Sequence, residues 1–168
     1  NKKIKIYILT LLVLIMTNVK AEEKVTFLNL DYVLSNSISG KIILNELNIL
    51  KKKNENNFND LSKKIKQKEQ DLLNKRNILS EEDFKVKLSN LKKEINEFNQ
   101  ERNKQITIYE NIKKEKLDDY LKKISPIIQD YIINNSISIV FNQKDIFIGS
   151  KKNDITLDVV KLVDQKIK

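Results

Sequence analysis

The chain has 168 residues, with 32 Lys and Arg against 23 Asp and Glu, a formal net charge of +9, and neither Cys nor His. Without Cys there is no disulfide, and without His there is no imidazole for acid–base work or for the commonest transition-metal ligand. The length allows one ordinary domain, held by packing alone.

Asn1 to Lys5 carries three lysines and no acid, and Ile6 to Met16 is apolar apart from Thr10. Val19-Lys20-Ala21 then places small residues at the two positions a signal peptidase reads. The pattern predicts an export signal over residues 1–21, cleaved after Ala21 and before Glu22. A retained anchor is the weaker alternative, because a bilayer-spanning helix needs roughly 20 apolar residues. Removing the segment removes four lysines and no acids, leaving 28 basic against 23 acidic residues and a net charge of +5. That mild charge favours acidic partners and anionic membrane or lipid surfaces. It is far short of a nucleic-acid-binding arm, and no nucleic-acid recognition fold is visible.

Val25 to Leu30 is β-branched and aromatic and predicts a strand. Asp31 is placed to cap a short helical turn, Tyr32 to Ser35, before a loop over Asn36 to Gly40. From Lys41 there is no Pro until Pro126 and no Gly until Gly149. Apolar or tolerated positions fall at Ile43, Leu47, Leu50, Asn54, Phe58, Leu61, Ile65, Lys68 and Leu72, mostly in steps of three and four, the spacing of a coiled-coil seam. These predict a helix over Lys41 to Leu79, with Asn54 and Lys68 as polar seam positions that cost stability and can fix register.

Ser80 is a good N-cap, Asp83 stands three residues on, and Glu81, Glu82 and Asp83 suit a helix N-terminus. A second seam follows: Phe84, Leu88, Leu91, Ile95, Phe98, Arg102, Gln105, Tyr109 and Ile112, then Lys116, Tyr120, Ile124, Ile127 and Tyr131. Two seams separated by a fresh cap predict an antiparallel hairpin with its tip near residues 77–82. Pro126 lacks the N–H that the Lys122 carbonyl would accept, so a kink is expected there, setting the angle at the base or acting as a hinge. Asn134-Asn135-Ser136 ends the helix. Ile137 to Phe141 and Ile146 to Ile148 predict two further strands around a turn at residues 142–145. Asp154 is placed to cap a last helix, Ile155 to Ile167, with Leu157, Val160 and Val163/Ile167 on its apolar face.

The fold class is therefore α+β and mainly α: a long coiled-coil arm over residues 41–135 on a small β body built from residues 22–40 and 136–168. Three short strands are marginal alone, so the body is expected to complete its core by homo-oligomerisation through Val25, Phe27, Ile139, Phe141 and Phe147. The sequence offers no catalytic, cofactor or metal constellation: no Gly-rich phosphate loop, no Cys nucleophile and no Ser in a nucleophile elbow. The pairs Glu81/Glu82 and Asp118/Asp119 read as surface charges among abundant lysines. The lysine clusters along both helices read as a solvated exterior or as a surface attracting acidic clients.

The order of these pieces resembles the Skp/OmpH family of periplasmic chaperones over essentially the whole mature chain. The resemblance rests on Lys24-Val25-Thr26-Phe27-Leu28-Asn29-Leu30-Asp31, Ser37-Ile38-Ser39-Gly40-Lys41 and the Leu79-Ser80-Glu81-Glu82 tip. It continues in Pro126-Ile127-Ile128, Ile139-Val140-Phe141-Asn142 and Asn153-Asp154-Ile155-Thr156-Leu157-Asp158-Val159-Val160. It implies a trimer of hairpin tentacles on a shared β body, holding unfolded outer-membrane proteins in a central cavity without ATP or cofactor. The client-facing surface on the arms would be diffuse, and the modest charge weakens the electrostatic share of capture. A structural envelope protein is the alternative. A prefoldin-like arrangement fits less well, because there the β elements lie between the helices.

Overall fold

The computed structural model describes residues 23–167. The expected export segment, residues 1–21, lies outside them. Strand β1 (Lys24–Leu28) leads into α1 (Leu30–Asn36), and α2 (Ile38–Asn74) and α3 (Glu81–Asn134) form the hairpin. Strand β2 (Ile137–Asn142), two 3-10 turns (Gln143–Asp145 and Lys151–Asn153) and α4 (Thr156–Lys166) complete the base. With 37 residues, α2 is about 55 Å long. No described helix is long and apolar enough to cross a membrane.

The junction before the arm differs from expectation. Asn29, not Asp31, caps α1, its side-chain oxygen accepting from Tyr32 N at 2.8 Å. Residues 36–40 are no loop. Ser37 caps α2 and its Oγ accepts from Gly40 N at 3.2 Å. Gly40 is buried inside the helix, where the Leu34 carbonyl comes so close that no Cβ would fit. The polar string read as irregular is thus a capping sequence followed by a close-approach glycine.

At the far end α2 stops at Asn74, five residues before the expected Leu79. The reversal occupies residues 75–80, closed by Ile78 N and Leu79 N donating to the Lys75 carbonyl. Ser80 caps α3 as the sequence predicts, accepting from Asp83 N at 3.1 Å and donating to Asp83 Oδ2 at 2.6 Å. Helix α3 runs unbroken through Pro126. Immediately before it, Ser125 Oγ donates to the carbonyl of Leu121, one turn back, at 2.6 Å.

β1 and β2 pair in parallel, with Val25 opposite Ile139, Thr26 opposite Val140 and Phe27 opposite Phe141. An extra residue on β2 between Ile137 and Ile139 shifts the register at its start. That bulge lets Ile137 and Val140, three apart, both reach the core despite strand alternation. No third strand forms at Ile146 to Ile148; the second edge of β1 is instead met by an isolated bridge from Phe27 to Asp154. Ile155 N donates to the Phe27 carbonyl at 3.1 Å, taking the backbone partner a third strand would have supplied.

The core of the base joins Leu28, Val33, Ile137, Ile155, Val159 and Val163 to Tyr120, Ile124 and Ile127 from the lower end of α3. The base therefore draws on the arm as well as on the flanking segments. Ile155 and, on α4, Thr156, Val159 and Val163 turn inward, so Val163 lies on the expected face while the rest of that face is shifted by a step. Leu157 is exposed and Val160 only partly buried. Asp154 does contribute at the N-terminus, its Oδ1 accepting from Thr156 N at 2.9 Å, although Ile155 occupies the cap position.

Candidate functional site

Side-chain alternation sends Thr26 and Leu28 towards the helices and leaves Val25, Phe27, Ile139 and Phe141 together on the outer sheet face. Phe27 is buried within the single chain, its ring against Gly149. Val25, Ile139 and Phe141 are 38%, 45% and 47% exposed, and Phe147 projects from the neighbouring loop at 97%. The far edge of β2 has no strand partner among the described residues. The single chain has a buried cluster of its own, and of the five side chains expected in an oligomer core only Phe27 is covered by it or its neighbours; the other four are exposed. What the base leaves uncovered is this outer face and this edge.

A buried hydroxyl pair ties the arm to the base. Tyr120 Oη lies 2.7 Å from Ser37 Oγ, and Asp164 Oδ1 accepts from Ile38 N at 2.7 Å. Burial pushes the Tyr120 phenol up, reinforced by the nearby Asp164 carboxylate and opposed by the hydrogen bond from Ser37. Burial likewise raises Tyr131, whose hydroxyl donates to Asp158 at 2.9 Å.

Along the arm the seam residues meet as the spacing requires. Leu47, Leu72 and Leu91 are buried, and Phe58 and Phe98 pack edge-to-face with centroids 6.0 Å apart. Polar seam positions are handled in two ways. Lys68 crosses to Glu94 and Lys116 to Glu46, each at 2.7 Å. At the level of Asn54, Arg102 and Gln105 no such bridge forms, and a cleft of about 660 Å³ lies between the helices, bounded by Phe58, Phe98 and Tyr109. Sequence reasoning marked these as seam positions without seeing that three polar residues at one level would leave the helices unfilled.

Outside the seam the arm shows an apolar stripe. Ile38, Ile42 and Ile49 of α2 share one exposed side of the helix, and Leu73, Ile78, Val86 and Ile106 are also exposed. Three of the four carboxylates read as surface charges sit in surface ion pairs: Glu81 with Lys85, Asp118 with Lys114 and Asp119 with Lys122.

These features define a class of protein, a long two-helix arm on a small α/β base with strands on either side of the hairpin in sequence. The family described as outer membrane protein (OmpH-like) matches residues 24–163, and the chain belongs to it. A crystal structure of a proposed OmpH-like outer membrane chaperone from Caulobacter crescentus has the same fold, with a TM-score of 0.75 at 16% identity over 88% of each chain. Comparison with curated proteins finds no match.

Proposed function

We propose that the protein is an ATP-independent holdase chaperone of the periplasm that binds unfolded outer-membrane proteins between its arms and keeps them from aggregating. The observation that carries this reading is the arm surface: exposed Ile38, Ile42, Ile49 and Ile106 set among lysines and acids on a rod about 55 Å long. Scattered apolar and charged contacts of this kind bind an extended chain weakly at many points. They release it without an energy source, because no single contact dominates. Family membership supports the same reading.

Homo-oligomerisation through the outer sheet face completes the proposal. Val25, Ile139, Phe141 and Phe147 present apolar surface beside an unpaired strand edge, which in a free chain invites association. Three copies, as the family resemblance implies, would set three arms around one cavity.

The test is suppression of aggregation of a denatured outer-membrane β-barrel protein across a salt series, with native mass measured on the same sample. The expected result is suppression without nucleotide at a mass above one chain. Failure to suppress at every salt concentration overturns the chaperone reading in favour of a structural coiled-coil protein of the envelope.

A further inference from the structure

Two of the polar interruptions in the arm seam are closed by ion pairs across the hairpin, Lys68 to Glu94 and Lys116 to Glu46. The third is not. Gln105 turns away to bond Glu101 on its own helix at 2.8 Å, and no hydrogen bond spans the helices between Asn54 and Gln105 among the described residues. A polar residue kept only to fix register would be expected to meet a partner across the seam. Here the amides stand back and leave about 660 Å³ open, within the range of small-ligand clefts.

The walls give the cleft its chemistry. Phe58, Phe98 and Tyr109 supply aromatic faces, and Asn54 and Gln105 supply amides. The acids at its margin are already matched, Glu55 by Lys51 at 3.8 Å and Glu110 by Lys113 at 3.5 Å. Arg102 has no carboxylate within 4.0 Å among the described residues, so the cleft carries one unmatched cation. A guanidinium stacks on an aromatic ring and pairs with a carboxylate at its edge.

We propose that the mid-arm cleft is a receptor site for an aromatic side chain flanked by a carboxylate in an unfolded polypeptide. This rests on the chaperone reading for its biological occupant, while the binding chemistry stands apart from it. The aromatic ring enters between Phe58, Phe98 and Tyr109, and Arg102 holds the neighbouring acid. The cleft thereby gives an otherwise diffuse arm one preferred point of contact.

The chain contains no Trp, so the emission of a tryptophan probe is read without background. The probe is the acetylated, amidated tripeptide aspartate–tryptophan–aspartate, with a lysine–tryptophan–lysine counterpart, titrated into the full chain. Saturable, blue-shifted binding is expected, with the acidic probe about tenfold tighter, a difference of about 1.4 kcal/mol. The double variant N54L/Q105L fills the cleft; it should raise the thermal midpoint and weaken the probe at least about tenfold. R102Q should leave the fold intact and erase the preference for the acidic probe.

Unsaturable binding to the wild type, or unchanged binding by a folded N54L/Q105L chain, overturns the proposal. Aggregation suppression measured in parallel separates the two readings. A wild type that binds the tripeptide yet suppresses nothing removes the chaperone reading and leaves the site. A filled-cleft variant that holds denatured client as tightly as the wild type removes the site's role in client binding and leaves the chaperone.

Discussion

Lys68 Nζ donates to both carboxylate oxygens of Glu94, at 2.7 and 2.8 Å, bridging the two helices of the arm at a position where a coiled coil ordinarily places an apolar residue. The two side chains remain 57% and 43% exposed, so the pair is worth at most about 1 kcal/mol. Lys68→Ala should lower stability by that amount or less at low salt, with the loss shrinking as ionic strength rises. Leu72→Ala, one turn on and buried, should cost about 2–5 kcal/mol at any salt concentration. Urea unfolding of both variants at two salt concentrations checks this; a salt-independent Lys68 effect would mean that packing of its stem, not charge, holds the helices.

Gly40 is the tightest point of the arm's attachment. An added Cβ would overlap the Leu34 carbonyl oxygen and crowd Ser37 Oγ, and a backbone atom cannot swing aside. Gly40→Ala is expected to destabilise by at least about 1–3 kcal/mol, the range for overpacking. The loss should appear in the base, seen as faster amide exchange in α1 and at the start of α2. Ordinary stability in this variant would show that the α1–α2 junction relaxes freely.

The hairpin was legible because its signals are local and repeated. Leu47, Leu72 and Leu91 stand at seam spacing, and Ser80 with Asp83 is a cap visible in four residues. The base was harder to read. The string Asn36 to Gly40 looks like loop composition, and its role shows only in the fold, where Ser37 caps α2 and the Leu34 carbonyl packs against Gly40. Ile146 to Ile148 has strand composition, but strand formation needs a partner edge, and the one edge β1 had left was taken by Asp154 and Ile155 from later in the chain. The phase of α4 was ambiguous for a related reason. Its sequence carries two apolar stripes, and contact with Val33 and Ile124 selects the one containing Val159 and Val163. The mid-arm cleft was visible as three polar letters, whereas its volume depends on the spacing of two helices.

The Ser37–Tyr120 pair gives the protein an alkaline signature. Because burial raises the folded-state pKa of Tyr120, the unfolded chain loses this proton first, near the usual phenol value of about 10. Below that pH both states keep the proton and the native contribution is complete. Above it stability falls as pH rises, until folded Tyr120 ionises as well. Tyr120→Phe removes the contact with Ser37 Oγ, which keeps its bond from Gly40 N, and should cost about 0.5–1.5 kcal/mol near neutrality. Its stability should then decline less steeply than that of the wild type above about pH 10. Urea midpoints from pH 8 to 11, compared between the two chains, cancel the lysine contribution; parallel curves would sink this account.

The outer sheet face makes the last prediction. Val33, Ile124, Val159 and Val163 are fully buried in one chain, so a separated subunit is expected to keep its fold. Association then depends on the uncovered side chains, of which Phe141 is 47% exposed and sits opposite Phe27 in the sheet. Removing such a ring from water in an interface contributes about 1.5–3 kcal/mol per copy, and a carboxylate in its place would have to be desolvated beside its symmetry mates. Phe141→Asp should therefore sediment at the mass of one chain while keeping wild-type helicity, and the wild type should sediment as an oligomer. A wild type that is monomeric at all concentrations, or an oligomer indifferent to Phe141→Asp, would move the association surface away from the strands.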